Sequence, residues 1–83
     1  MQSQKIGKKV RYFRLRALIS QLKLERLIEA SDGSLSRLES GKVNPTKETL
    51  FAIAEALDLS KVEIAYLFGI VENIEIGLVK EVI

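Results

Sequence analysis

The polar side chains of greatest interest lie between Ser31 and Leu57, in the stretch SDGSLSRLESGKVNPTKETLFAIAEAL. Its first half is typical of a short amphipathic helix, with small and polar residues on one face and Leu35 and Leu38 on the other. A short polar-faced helix held between packed helices suits insertion into the DNA major groove, which is wide enough to admit a helix. The pattern therefore indicates contact of this polar face with DNA, and transcriptional regulation is the leading hypothesis.

The composition argues against several other kinds of chemistry. The chain contains no Cys and no His, which excludes disulfides, thiolate or imidazole metal sites and His-based catalysis. No carboxylate pair or Gly-rich phosphate loop is evident, so an enzyme is the least favoured class of function. We expect no catalytic residue, no metal site and no cofactor.

The bulk numbers indicate one small globular domain. The chain has 83 residues, of which 47% are apolar and 29% charged, which suits a single modest core rather than a disordered chain. It has no run of about 18 apolar residues that could span a membrane, and its polar, basic N-terminus does not match a secretory signal. A cytoplasmic location is expected, with nucleoid association when the protein is bound to DNA.

Charge is distributed unevenly, although the net charge is only +2. The start of the chain carries six basic residues without an acidic one among them: Lys5, Lys8, Lys9, Arg11, Arg14 and Arg16. After Pro45, acidic residues outnumber basic ones: Glu48, Glu55, Asp58, Glu63, Glu72, Glu75 and Glu81 against Lys47, Lys61 and Lys80. The basic end suits a polyanion, and an ordinary solvated helix face is an equally weighted alternative for this feature taken alone.

Apolar spacing and capping residues predict two helices in the first third of the chain. Helix 1 covers residues 4–17, with its apolar side formed by Ile6, Val10, Phe13 and Ala17. Ser20 is placed to cap helix 2, which runs from Gln21 to Ile28. Its apolar side is expected to consist of Leu24, Leu27 and Ile28.

Three further helices follow from similar signals. Ser31 is expected to cap helix 3, and Gly41 to end it. Pro45 forbids a continuous helix, so helix 4 starts near Thr46 and buries Leu50, Ile53, Ala54 and Leu57. A Ser60–Glu63 capping box opens helix 5, which Gly69 should end. The aromatic residues are expected in the core rather than stacked on bases: Tyr12, Phe13, Phe51, Tyr66 and Phe68.

The last residues, 70–83, form an apolar tail after a domain of residues 1–69. Val71, Ile74, Leu78 and Val82 fit a helix, whereas Ile74, Ile76 and Leu78 fit a strand, so its conformation stays open. The tail has more apolar side chains than a five-helix core needs. It either folds back onto the domain or provides a dimer interface, unless it is the start of a larger protein.

The order and spacing of these signals resemble the helix-turn-helix domain of the phage-repressor and Cro type, often called the XRE family. The similarity covers residues 5–69, and the match depends on many short pieces in the right order. They are Ile6, Val10 and Arg14; Ser20, Gln21 and Leu24; Ser31 with Leu35-Ser36-Arg37-Leu38-Glu39-Ser40-Gly41-Lys42; Asn44-Pro45-Thr46; Glu48-Thr49-Leu50; and Ile53-Ala54 with Ala56-Leu57. The resemblance implies an all-α, five-helix lambda-repressor-like bundle with helices 2 and 3 as the helix-turn-helix.

Three positions depart from the family pattern. Glu25 stands where the family usually has a small residue, because helices 2 and 3 approach closely there. Glu29 and Leu18 stand where it has Gly, in the turn after helix 2 and at the end of helix 1. An unpartnered buried charge is costly, so we expect Glu25 to point outward, to pair with a basic side chain, or to widen the crossing of helices 2 and 3.

The resemblance also assigns roles to individual residues. It implies that the first turn of helix 3 faces the bases, through Asp32, Gly33, Ser36 and Arg37. Arg37 is the strongest candidate because a guanidinium can bind guanine O6 and N7 together, with a surface ion pair as the alternative. Asp32 either caps helix 3 or accepts from cytosine. The phosphate-contacting positions are Gln21, Ser40, Lys42 and Asn44, and the structural ion pair is Arg14 with Glu39.

Two classes of function remain after this comparison. The first is a sequence-specific regulator of double-stranded DNA, with repression favoured, that binds a two-fold symmetric operator as a homodimer because one copy contacts few base pairs. The second is a protein-interaction module, such as an antitoxin or the N-terminal domain of a larger regulator. In that case the acidic half and the apolar tail bind a protein partner.

Overall fold

The computed structural model describes residues 3–70, with side chains from Lys5 onward. Within this range the chain is all-helical and has no strand, as expected. It has five helices: α1 (Ser3–Arg16), α2 (Gln21–Leu27), α3 (Ser34–Glu39), α4 (Lys47–Ala56) and α5 (Lys61–Leu67). The predicted conformations of the tail concern residues outside the described range, apart from Ile70.

Helix α1 provides the centre of the core. Ile6, Val10 and Phe13 are buried as their spacing predicted, whereas Ala17 lies in the turn beyond α1 and is exposed. Around them lie the buried side chains of the other helices and connections: Leu24, Leu35, Leu38, Leu50, Ile53, Ala54, Leu57, Leu59 and Leu67. The core thus joins all five helices, and α1 is packed between α3 and α5.

Gly7 allows α1 and α3 to approach closely. A Cβ at this position would lie 2.4 Å from the Leu38 carbonyl oxygen and 2.7 Å from that of Glu39. Backbone atoms at the end of a helix cannot rotate away as a flexible side chain can. The α1–α3 spacing therefore depends on a residue without a side chain.

Capping hydrogen bonds fix the starts of α2, α4 and α5. The Ser20 and Thr46 side chains accept from the Lys23 and Thr49 backbone N–H groups. At α5, Ser60 and Glu63 form the predicted capping box, in which each side chain accepts from the other residue's backbone N–H. The starts predicted for these three helices are confirmed.

Polar contacts attach α5 to α1. Arg16 Nη1 donates to Glu63 Oε2 at 2.7 Å, and Lys9 Nζ donates to the Tyr66 carbonyl oxygen at 2.7 Å while lying 4.4 Å from the centre of the Tyr66 ring. The hydrogen bond from Arg16 lowers the pKa of Glu63, despite an opposing effect of partial burial. These contacts hold α5 across the far side of α1 from α3.

Several apolar residues are more exposed than their spacing predicted. Tyr12 is 53% exposed and Phe51 55% exposed, so neither belongs to the core. The prediction that Leu27 lies on the buried side of α2 is wrong, since it is 51% exposed, whereas Leu24 is buried and Ile28 is partly buried against the core. Phe13 is buried as expected, while Tyr66 and Phe68 are partly buried against the core.

Left-handed residues terminate the helices. Gly41 and Gly69, predicted as helix ends, have φ values of 83° and 82°. Leu18 and Glu29, which stand where the family usually has Gly, are left-handed too, with φ values of 61° and 57°. L-residues adopt this region at a steric cost, so we expect each of these two turns to lower the stability of the fold. Of the helices described, none is long and apolar enough to cross a membrane.

Candidate nucleic-acid interface

Helix α3 begins later than its sequence predicted. Its N-cap is Gly33, with a φ of 88° and no side chain to cap the helix. Neither of the two predicted capping residues has that role, because Ser31 and Asp32 lie in the turn before α3 and are exposed. The left-handed Gly33 interrupts the helical conformation, which removes the first turn and leaves a helix of 6 residues.

Glu25 of α2 caps α3 in place of the missing side chain. Its Oε2 accepts from the Gly33 backbone N–H at 3.1 Å and from the Leu35 backbone N–H at 2.9 Å. The residue is only 3% exposed and its partners are backbone N–H groups, so the expectation that Glu25 points outward or pairs with a basic side chain is wrong. The free N–H groups at a helix start are a natural partner for a carboxylate, and here that carboxylate comes from the neighbouring helix.

A buried ion pair links α3 to α1. Arg14 Nε donates to Glu39 Oε2 at 2.7 Å, and Arg14 Nη2 donates to Oε1 at 3.1 Å, which gives a two-pronged contact. Arg14 Nη1 donates to the Ile19 carbonyl oxygen at 2.8 Å, and Gln21 Nε2 donates to Glu39 Oε1 at 3.0 Å. Arg14 and Glu39, assigned to a structural ion pair, thus lie in contact at the C-terminal end of α3, where Gln21 also bonds Glu39.

The outer face of α3 is polar and open to solvent. Ser36 and Arg37 are exposed, while Leu35 and Leu38 on the opposite face are buried. A Cβ at Gly33 would lie 3.1 Å from Arg37 Nη1, so the guanidinium extends back over the start of the helix. Asp32, also exposed, precedes Gly33 in the turn. The four residues assigned to base contacts therefore lie together along the turn and the outer face of α3.

The loop after α3 carries further exposed polar groups. The Gly41 N–H donates to the Leu38 carbonyl oxygen at 3.1 Å and the Lys42 N–H to that of Arg37 at 2.9 Å, which closes the helix. Ser40, Lys42 and Asn44 are exposed beyond it. The Ser40 hydroxyl donates to the Arg37 carbonyl oxygen at 3.1 Å, so contact with a phosphate requires it to rotate.

A comparison with known protein families decides what this arrangement is. The family model described as Helix-turn-helix matches residues 10–64 of the chain, which include α2, α3 and the turn between them. This chain is a helix-turn-helix protein of the Cro and phage-repressor type. No curated protein and no solved structure gave a significant match.

Membership of this family gives the general function. The helix-turn-helix protein is a DNA-binding regulator of transcription, and domains of its family are not typically enzymatic. In such domains the second helix of the motif contacts bases and the first crosses the DNA backbone. Here these helices are α3 and α2, which carry the exposed polar face and Gln21.

The basic start of α1 is only partly open to solvent in this helix-turn-helix protein. Lys5, Lys8 and Arg11 are exposed. The other three basic residues of the predicted patch bond other residues of the chain, since Lys9 bonds Tyr66, Arg14 bonds Glu39 and Arg16 bonds Glu63. Of these, Arg14 is buried and Arg16 remains exposed. Half of the predicted basic patch therefore serves the packing of α1.

Two residues that shape the interface had no assigned role in the sequence. One is Gly7, and the signal for it is its place inside a predicted helix, where Gly costs about 1 kcal/mol relative to Ala and so indicates a packing requirement. Glu25 departs from the family pattern, but the sequence does not indicate its partner. That partner follows only from the N-cap position of Gly33, eight residues later, which leaves the start of α3 without a capping side chain.

Proposed function

We propose that the protein is a sequence-specific repressor that inserts α3 into the major groove and binds a two-fold symmetric operator as a homodimer. The observation that carries this proposal is the exposed polar face of α3, with Ser36 and Arg37 outermost, on a helix fixed at both ends from inside the protein. A helix held in this way can present its side chains to base edges without rearrangement.

The proposed base contacts are made by Asp32, Gly33, Ser36 and Arg37. Arg37 has the chemistry for direct readout, because its guanidinium can bond O6 and N7 of one guanine. Gly33 offers no side chain, and its contribution is to let the backbone approach the bases. With so few side chains for readout, part of the specificity is expected to come from DNA shape.

The proposed phosphate contacts are made by Gln21, which bonds Glu39 at the C-terminal end of α3, and by Ser40, Lys42 and Asn44, which follow that helix. An amide nitrogen has two N–H groups, so Gln21 can donate one to Glu39 and the other to a phosphate. Lys42 contributes a positive charge, and Lys5, Lys8 and Arg11 on α1 add longer-range attraction. Contacts of this kind fix the position of the protein on the duplex without selecting sequence.

We further propose that residues 1–69 form the DNA-binding domain and that residues 70–83 join two copies. A single motif contacts few base pairs, so useful specificity requires a second copy. The tail is rich in apolar residues, and Ile70, where it begins, is 77% exposed. Location in the cytoplasm, on the nucleoid, follows from a DNA partner.

The test is selection from a random pool of duplexes with the purified chain at near-physiological salt. Enrichment of one inverted repeat, with half-sites about 10 base pairs apart or a multiple of that, supports a dimeric regulator. Sedimentation of the chain with and without residues 70–83 then tests the tail. No enrichment by a folded chain refutes the proposal and favours a protein-interaction module instead.

Matched variants separate readout from charge. Arg37→Ala should lower discrimination between the selected site and a mutated one by roughly 5- to 150-fold, which corresponds to about 1–3 kcal/mol. Arg37→Lys keeps the charge and should lose most of that discrimination, because Lys lacks the two-pronged geometry. Lys42→Ala should weaken binding to all duplexes and reduce the salt slope by about 1, whereas Lys61→Ala, an exposed lysine on α5, should not.

A further inference from the structure

The carboxylate of Glu25 connects α2 to the start of α3. Among the described residues, it is the one side chain of α2 that forms hydrogen bonds with the start of α3. We propose that Glu25 is a positioning residue for DNA recognition, and this inference rests on the proposed function. It sets where the outer face of α3 lies relative to α2, and so maintains the discrimination between base sequences that the residues of this face provide.

The geometry at Gly33 makes this contact necessary. Gly33 is the N-cap, and it has neither a side chain nor an ordinary helical φ. The N–H groups of Gly33 and Leu35 at the start of α3 therefore need an acceptor from elsewhere. One oxygen of Glu25, on a residue 3% exposed, accepts from both, so a single atom holds two points of the α3 backbone.

The same turn carries the residues proposed to contact bases. Gly33 itself is one of them, and Arg37 Nη1 lies beside the position that a Gly33 Cβ would occupy. Two-pronged binding of guanine tolerates displacements of only about 0.5 Å. A shift of the Gly33 turn after loss of the Glu25 contact therefore reaches Arg37 and lowers its discrimination between bases.

A simple effect of charge predicts a different result. A carboxylate near DNA repels phosphates whatever the base sequence, so its removal would strengthen binding to every duplex alike. Positioning predicts instead that the ratio of affinities for the selected and a scrambled duplex falls. Glu29 supplies the control, because it is an exposed carboxylate just after α2.

The experiment compares full-length Glu25→Ala, Glu25→Gln and Glu29→Ala with the wild type. Each variant is first shown to be folded by circular dichroism, and the Gly33 and Leu35 amide protons are followed by NMR hydrogen exchange. The affinity ratio for the two duplexes is then measured at one salt concentration. Glu25→Ala should expose both amides and lower the ratio roughly tenfold or more, while Glu29→Ala should leave the ratio unchanged.

Glu25→Gln decides the matter even where Glu25→Ala does not fold. A glutamine carbonyl oxygen can accept both hydrogen bonds that one carboxylate oxygen accepts in the wild type. If both amides stay protected, the ratio should stay within a few-fold of wild type; if they are exposed, it should fall. The proposal is overturned if the affinity ratio falls while both amides stay protected, or if the ratio is kept while both amides are exposed.

The outcomes also separate this proposal from the proposed function. A wild-type chain that enriches no duplex refutes the proposed function, and the role of Glu25 is refuted with it. A wild-type chain that discriminates, together with a folded Glu25→Ala that discriminates equally, refutes only the role of Glu25. A uniform gain of affinity for both duplexes would also refute it, because Glu25 would then act by charge alone.

Discussion

Replacement of Gly7 by Ala tests whether the α1–α3 contact is as tight as the structure indicates. The added Cβ would lie 2.4 Å from the Leu38 carbonyl oxygen, where ordinary van der Waals contact begins at 3.4 Å. The two helices must therefore separate locally by about 1 Å, and a gap of this size forfeits a quarter to a half of the dispersion energy between the atoms that lined it.

The expected magnitude follows from two opposing effects. Overpacking of a well-packed interface costs about 1–3 kcal/mol, and a clash with backbone atoms belongs at the upper end. Ala is favoured over Gly inside a helix by about 1 kcal/mol. The net loss should be about 2 kcal/mol, which for a domain of this size lowers the Tm by about 8–16 °C.

Urea unfolding followed by circular dichroism measures the effect, and a neighbouring position provides the control. Lys8 is exposed on the same helix, so the difference in stability between Lys8→Ala and Lys8→Gly gives the Ala–Gly preference of α1 itself. That preference should favour Ala by about 1 kcal/mol. If Gly7→Ala stabilised the protein by a similar amount, the close approach of α1 and α3 would be refuted.

Three further predictions concern stability. Glu39→Ala leaves the buried Arg14 guanidinium without its carboxylate and should cost about 3–5 kcal/mol in urea unfolding; a loss below 1 kcal/mol would contradict a structural role. The pKa of Glu63 is lowered by its hydrogen bond from Arg16, so the pair's stabilisation should be present above the ordinary pKa of 4.5 and lost as the pH falls through the lowered one. Glu63→Gln should then reduce the free energy of unfolding by at most about 1 kcal/mol at pH 7, and this difference from the wild type should vanish in acid. A difference that does not depend on pH would be evidence against the pair. Leu18→Gly should raise the free energy of unfolding by about 0.5–1 kcal/mol, because Leu18 has a φ of 61° and an 89% exposed side chain; no gain in urea unfolding would show that this turn is not strained.

Local signals in the sequence predicted much of the fold. The 3.6-residue spacing of Ile6, Val10 and Phe13 placed the core face of α1, because side chains at this spacing share one side of a helix. Capping residues such as Ser20 and Ser60 marked helix starts, since each bonds N–H groups within three residues. The family resemblance predicted a helix-turn-helix motif in helices 2 and 3, and the family match, which covers both helices, confirmed that family.

The remaining features depend on contacts between distant residues. Nothing within three residues of Glu25 indicates that its carboxylate accepts from Gly33 and Leu35. The late start of α3 has a local cause instead, the left-handed conformation of Gly33. The exposure of Tyr12 and Phe51 was also missed. Helical spacing shows which residues share a face of a helix but does not show how far a neighbouring helix extends across that face.

The short length of α3 has a consequence for protein engineering. The helix has 6 residues, far below the roughly 12–15 residues at which isolated helices become marginally stable in water. Its two ends are held by Glu25 of α2 and by Arg14 of α1, both outside the segment that would contact bases. Transfer of the outer face of α3 to another scaffold should therefore carry its DNA preference only when the residues equivalent to Glu25 and Arg14 are transferred with it.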